Sequence, residues 1–565
     1  RARRWGGPEL AQAGCVVSAS SAPGTSVAPA SPTQGPWSCS GIVLSHRPGI
    51  VLCHGAILSP FLVAAEQVDW SQRRVLLADS FSPDLRIQVL WPVENRSQAE
   101  GKILQDLEPS CPALGLNPLS SQREALSSLR QHEAQLLMAV ACPQFQDAFS
   151  KVLSRAEQWH FGRKEEAHEA GTLDDELLFL HWFAFLRIPE LGFPAAGQVT
   201  CVSAKSLKKG DTLFACGSPF GSFCPDIFMN TLSKGVVSNM AGEENVLILT
   251  DARCLPGTEG GGVFAASDDG LELVGVIVAP LCWKANEWVG LTLVCAVDCI
   301  LENIRNVLVR CGKFLEILCP PMQLVARPLG RLTASPGPVY HLLPAVVLVE
   351  CGHVWGSGVM VNSRLLLTCR HVVNEASTSK PSPWAVPRTS LVKGKVVFAT
   401  KDASPYDLAV VELQKSLLSF PKPVLASKFC AGEDVNVVGF GVFGQACGPS
   451  VTSGILSAVV TVDDKPVMLQ TTCAVHGGSS GGPLFATHSG ELLGIVASNT
   501  RDNSVGATYP HLNFSIPITV LQPLVAEYSR TGNLGSFQEL DRACDRIQVV
   551  WRLQRKPREI QRSKL

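Results

Sequence analysis

Three short stretches carry residue types that could do chemistry together. Leu367-Thr368-Cys369-Arg370-His371 follows an apolar run. Pro405-Tyr406-Asp407 opens another, Leu408-Ala409-Val410-Val411. Gly477-Gly478-Ser479-Ser480-Gly481-Gly482 surrounds a serine with glycine. A serine hydroxyl is a weak nucleophile until a base takes its proton during attack. Histidine suits that task because its ordinary pKa lies near neutrality. An aspartate behind the histidine fixes its tautomer and stabilises the imidazolium. His371, Asp407 and Ser480 therefore form a candidate nucleophilic set in the order His, Asp, Ser. The glycines let the backbone turn tightly, so that the amides of Gly478 and Ser480 can converge as an oxyanion hole. Singly, each stretch reads as a structural histidine, a turn aspartate or a flexible turn; jointly, on strand-like flanks, they point to catalysis.

These residues need a β scaffold to hold them, and the composition supplies one. The chain has 565 residues, too many for one ordinary domain, with 46% hydrophobic and 17% charged residues, 48 Gly and 38 Pro. That mixture suits many short strands joined by turns, so a mainly β fold is expected. Forty-eight Lys and Arg balance 49 Asp and Glu. Such balance gives no footprint for nucleic acid. No apolar run reaches the roughly 18 residues that span a bilayer. There are 20 Cys, without C-x-x-C pairs. We read them as reduced, mostly buried thiols, with no metal and no cofactor. Residues 1–35 show no apolar signal-peptide core and read as flexible.

The chain also repeats itself. WSCSGIVLSHRPGIVLCHG near 37 resembles VWGSGVMVNSRLLLTCRHV near 354. Residues 216–239 resemble 438–459, and 251–279 resemble 471–498, in the same order. Two copies of one β domain are expected: 36–315, with an insert at about 95–180, and 341–530, joined by a Pro/Gly-containing linker at 316–340 and followed by a tail at 531–565. The insert reads as partly helical and partly mobile, with helix formers at 120–140. The first copy lacks the chemistry. Trp182 falls opposite Asp407, and Gly260 is read at the Ser480 position. Its histidine is ambiguous: counting from the Ser-Gly pair matches His54 to His371, whereas matching Cys53 to Cys369 brings Gly55 there. We read this copy as an intramolecular partner covering part of the active one; substrate platform and regulator are the other roles open to it.

Residues 354–520 resemble the HtrA/Deg branch of trypsin-like serine proteases, through G-S-G-V-M-V, T-C-R-H-V-V, T-S-G-I-L-S, G-S-S-G-G-P-L and Asn513-Phe514-Ser515-Ile516-Pro517. Ser479 replaces the Asn usual before the nucleophile, and the usual PDZ domain has no counterpart. With a degenerate first copy and a terminal S-K-L, the chain is similar to the processing proteases of peroxisomes and glyoxysomes. The resemblance implies two tandem chymotrypsin-like double β-barrels. It also implies a serine endopeptidase that removes N-terminal leaders from imported peroxisomal enzymes, including those of fatty-acid β-oxidation, cutting after Cys. Ser563-Lys564-Leu565 is expected to be a peroxisomal address read by an import receptor. Self-cleavage is expected within 95–180, with Cys111 a candidate residue before the cut. A homo-oligomer is open. The other readings are a non-catalytic leader-binding scaffold and a general quality-control protease.

In trypsin-like folds the specificity-pocket base lies six residues before the nucleophile, which here is Ala474. Without an acid there, a buried Lys or Arg side chain would be unpaired. Asn499 and Asn513 are expected on the pocket walls, narrowing it for a small, weakly polar side chain such as Cys.

Overall fold

The computed structural model describes residues 13–22, 37–46, 48–63, 73–92, 129–152, 159–161, 179–189, 199–223, 225–280, 282–284, 287–311, 326–332, 337–374, 384–386, 392–417, 420–441, 447–502 and 507–552. It is mainly β and contains tandem chymotrypsin-like double barrels. The second copy has two closed six-stranded barrels. The first is built from Val346–Cys351, Val354–Met360, Leu365–Thr368, Trp384–Val386, Val392–Ala399 and Ala409–Leu413. The second is built from Asp434–Gly439, Ser450–Val462, Lys465–Thr471, Pro483–Ala486, Leu492–Asp502 and Ala507–Pro517. Leu365–Leu367 and Leu408–Val411 read as continuous apolar runs because barrel closure buries them. Leu348, Leu367, Val438, Phe485 and Ile516 join the two barrels in one core.

The first copy repeats this plan. A closed barrel holds Thr212–Gly217 through Thr292–Ala296. A seven-stranded sheet before it closes on itself where Leu129–Ala141 pairs with Trp182–Ile188. Two strands of that sheet depart from the sequence reading. Gly14–Ser21 lies in the stretch that its composition marks as flexible, yet it pairs with Trp37–His46 and Leu85–Pro92. Its Ala, Ser and Cys residues are small and weakly hydrophobic, but Cys15, Val16, Val17 and Ala19 are buried. Leu129–Ala141 falls within the stretch read as helical. Its Gln, Glu, Ala and Leu favour helix locally, but pairing with Leu85–Pro92 and Trp182–Ile188 prevails. Helix begins only at Pro143–Val152.

The tail, too, is less detached than the sequence implies. After helix Ile518–Thr531 ends at left-handed Gly532, Gly535–Arg542 returns to the second copy and buries Phe537 and Leu540. Trp551 Nε1 donates to the Val467 carbonyl at 3.0 Å. Residues 326–332 run along the first copy through bridges Val202–Arg327 and Ser267–Leu332. Residues 563–565 and Cys111 lie outside the described residues.

Candidate active site

Barrel register brings the histidine and aspartate together. Thr368 pairs with Ala409, so the turn after one strand meets the turn before the other. His371 sits in the short helix Arg370–Val373, just past that strand. Its Nδ1 is hydrogen-bonded to Asp407 Oδ2, and its backbone N–H donates to Asp407 Oδ1 at 3.1 Å. Burial pushes the Asp407 carboxyl up, but the hydrogen bond and charge of His371, with Arg370 beside it, outweigh burial and hold it below the ordinary carboxylate range. Arg370 Nε lies 3.9 Å from Asp407 Oδ1.

The serine comes from the other barrel. Gly478 (φ 90°) and Gly481 (φ 83°) occupy the left-handed region around it. At Gly478 a Cβ would lie 2.2 Å from the Trp355 ring, and at Gly481 2.2 Å from the Ser357 carbonyl, so both positions require glycine. The turn is pinned across the barrel gap: Ser357 N–H donates to Ser480 O at 2.9 Å, and Ser357 Oγ donates to Gly478 O at 2.7 Å. Among the described residues, neither the Gly478 nor the Ser480 amide has a hydrogen-bond partner, which leaves both able to donate to a developing oxyanion.

Cys369 lies beneath this junction. It is fully buried and its Sγ donates to the Val496 carbonyl at 3.2 Å, tying the two barrels together. Cys369, His371 and Asp407 are, among the described residues, the one trio of potential metal ligands within 4.8 Å. His371 and Asp407 are engaged with each other, and burial pushes the Cys369 thiol up. In the sequence Ser357 and Cys369 serve only to align the repeat; the signal of their structural role is their place in the Ser-Gly and Cys-x-His pairs.

The expected pocket residues fall as follows. Ala474 is buried, and its carbonyl accepts from Thr452 Oγ1 at 2.8 Å. Asn513 is fully buried; its Oδ1 accepts from Thr471 Oγ1 at 2.6 Å and its Nδ2 donates to Cys473 O at 2.8 Å. Its amide thus braces the segment before Ala474. Asn499 pairs with Asn513 along the backbone; its side chain lies outside the described residues.

Backbone bonds settle how the first copy aligns. Ser40 N–H donates to Glu259 O as Ser357 N–H donates to Ser480 O, and Gly260 N–H bonds Ile277 O as Gly481 N–H bonds Val496 O. Glu259, not Gly260, therefore stands at the Ser480 position. Cys53 pairs with Gly41 as Thr368 pairs with Gly358. His54 thus takes the place of Cys369, and Ala56 that of His371. Ala184 pairs with Cys53 as Ala409 pairs with Thr368, which sets Trp182 at the Asp407 position.

Residues 356–495 match the family model of the trypsin-like peptidase domain. The mouse peroxisomal leader peptide-processing protease is 52% identical over 100% of both chains, and the human one is 50% identical over the same extent. A probable periplasmic DegP-like serine endoprotease of Buchnera aphidicola is 30% identical over 32% of this chain and 38% of its own. Sharing half its residues from end to end with the mouse and human enzymes, the chain belongs to the peroxisomal leader peptide-processing proteases, trypsin-like serine proteases of the peroxisome.

Proposed function

We propose that this protease removes N-terminal leaders from enzymes delivered to the peroxisome, including enzymes of fatty-acid β-oxidation, and cuts after Cys. Ser480 Oγ attacks the scissile carbonyl while His371 takes its proton. The tetrahedral oxyanion is held by the amides of Gly478 and Ser480. His371 then returns the proton to the leaving amine, and water repeats the sequence on the acyl-enzyme. Asp407 holds the proton on Nδ1, leaving Nε2 to act as base. The observation that carries this reading is the His371–Asp407 hydrogen bond, set across the barrel gap from a glycine-framed serine. Ala474 offers no charge to a Lys or Arg side chain, in keeping with a small residue before the cut.

The same activity would nick the chain itself within about 95–180, with Cys111 a candidate despite Pro112 after it. Ser563-Lys564-Leu565 would deliver the protein through an import receptor, and deleting it would leave active enzyme in the cytosol. Association into a homo-oligomer is compatible with this scheme. The test is N-terminal sequencing of leader-bearing precursors incubated with wild-type and Ser480→Ala protein. New termini directly after Cys, formed by wild type alone, are expected. Unprocessed precursors with wild type would favour a leader-binding scaffold, and scattered cuts in unfolded casein a quality-control enzyme.

A further inference from the structure

The degenerate copy is docked on the part of the catalytic copy that precedes its nucleophile. Asp251, buried in the first copy, accepts from Ser453 N–H at 2.5 Å and Ser453 Oγ at 2.9 Å through Oδ2. The neighbouring Thr452 holds the Ala474 carbonyl. On the other side, the Trp288 ring meets the His511 ring edge-on, with centroids 5.6 Å apart. His511 Nδ1 lies 3.2 Å from Thr472 O. Between these anchors is Gly290 (φ 72°). A Cβ there would lie 3.3 Å from the Cβ of Ala474, 3.3 Å from His511 Nε2 and 3.2 Å from Pro510. Alanine is too small to close a pocket floor by itself, yet Ala474 is only 1% exposed. What covers it includes backbone of the other copy.

We propose that the degenerate copy completes the primary specificity pocket: Gly290 and Trp288 back the Ala474–His511 floor, so a domain without catalytic groups sets which side chain is accepted before the cut. This rests on the reading of Ala474 as the pocket base. Gly290 permits the close approach: a side chain there would be strained at φ 72° and would press against the floor from 3.3 Å. Trp288 keeps His511 and the 472–474 segment from retreating. Both are positioning residues, since neither touches the reacting atoms.

The experiment compares kcat/KM for leader peptides differing only in the residue before the cut (Cys, Ala or Phe). It uses full-length wild-type, Trp288→Ala, Trp288→Phe, Gly290→Ala and Ala474→Val proteins. Labelling by a small fluorophosphonate, which needs the nucleophile and oxyanion hole but not the pocket, reports active-centre integrity. Trp288→Ala is expected to raise the Phe-to-Cys ratio about tenfold, the scale on which apolar pockets discriminate, with labelling within about twofold of wild type. Trp288→Phe should restore the ratio. Gly290→Ala should shift it the other way, and slow Cys cleavage more than Ala cleavage. If Ala474→Val shifts the ratios while folded, labelling-competent Trp288→Ala and Gly290→Ala leave them unchanged, the composite floor is wrong. If Ala474→Val also leaves them unchanged, the pocket assignment falls and takes this proposal with it. Should Trp288→Ala fail to fold, Gly290→Ala decides alone.

Discussion

The two copies share a frame and differ in what it holds. Gly257 and Gly260 in the first copy keep φ of 95° and 80°, against 90° and 83° at Gly478 and Gly481 in the second. Ser40 and Ser357 pin equivalent carbonyls, both at 2.9 Å. Between those glycines stands Glu259 in one copy and Ser480 in the other; at the other two positions Ala56 and Trp182 replace His371 and Asp407. The turn is therefore a requirement of the barrel, since its glycines and serine anchor persist where no reaction is served. The proposed chemistry is a separate layer carried by three side chains, and the first copy, without them, still packs against the second.

That contrast can be strained at several points. The largest effect is expected from Asp407→Asn. An Asn amide would present its N–H₂ to Nδ1 or leave the imidazolium unstabilised, and kcat should fall by about four orders of magnitude with the fold intact. Steady-state cleavage beside circular dichroism would check this; a loss under about tenfold would show that Asp407 does not serve His371.

Cutting the tie between copies should cost less. Asp251→Ala strips acceptors from Ser453 and from Val236 N–H, which donates to Oδ1 at 2.7 Å. Leaving buried donors unpaired is worth on the order of 2 kcal/mol. A lower denaturant midpoint and a lower kcat/KM should appear together; unchanged values for both would mean the copies are not coupled there.

A smaller effect comes from acid. Burial pushes His54 and His181 down to about 4 in the first copy. The unfolded chain binds these protons near pH 6.5, the folded one only near 4. Their contribution is therefore present above about pH 6.5 and lost as pH falls towards 4. Tm should decline over that window, and less steeply in His54→Gln. An identical slope in the variant would remove His54 from the account.

The smallest expected effect is none. Glu259→Ser in a Ser480→Ala background should yield no cleavage, because Ala56 and Trp182 supply neither base nor orienting acid. Any leader processing by that double variant would show that the first copy retains an active centre.

The candidate catalytic set was legible because each member sits in a locally diagnostic stretch: glycines around Ser480, apolar strands beside His371 and Asp407. The first copy's alignment was harder. A Gly-Gly-Gly run allowed a slide of one residue, and matching Cys53 to Cys369 invited another; non-local backbone bonds set the true register. Strands Gly14–Ser21 and Leu129–Ala141 were hidden for a related reason. Their partners are distant in sequence, and their Ala, Ser, Gln and Glu residues carry little strand signal. The polar-wall reading of Asn513 did not anticipate that Thr471 and Cys473 would take up its amide. The contact of Trp288 with His511 has no signature in either local segment.

The central claim is that a duplicated scaffold carries one active centre, in the second copy, at Ser480. Fluorophosphonate labelling of full-length protein, followed by mass-spectrometric mapping of the modified peptide, tests it most directly. The account predicts one modified residue, Ser480, with labelling abolished in His371→Ala and Ser480→Ala. A label on any residue of the first copy, or undiminished labelling of a folded Ser480→Ala protein, would contradict it.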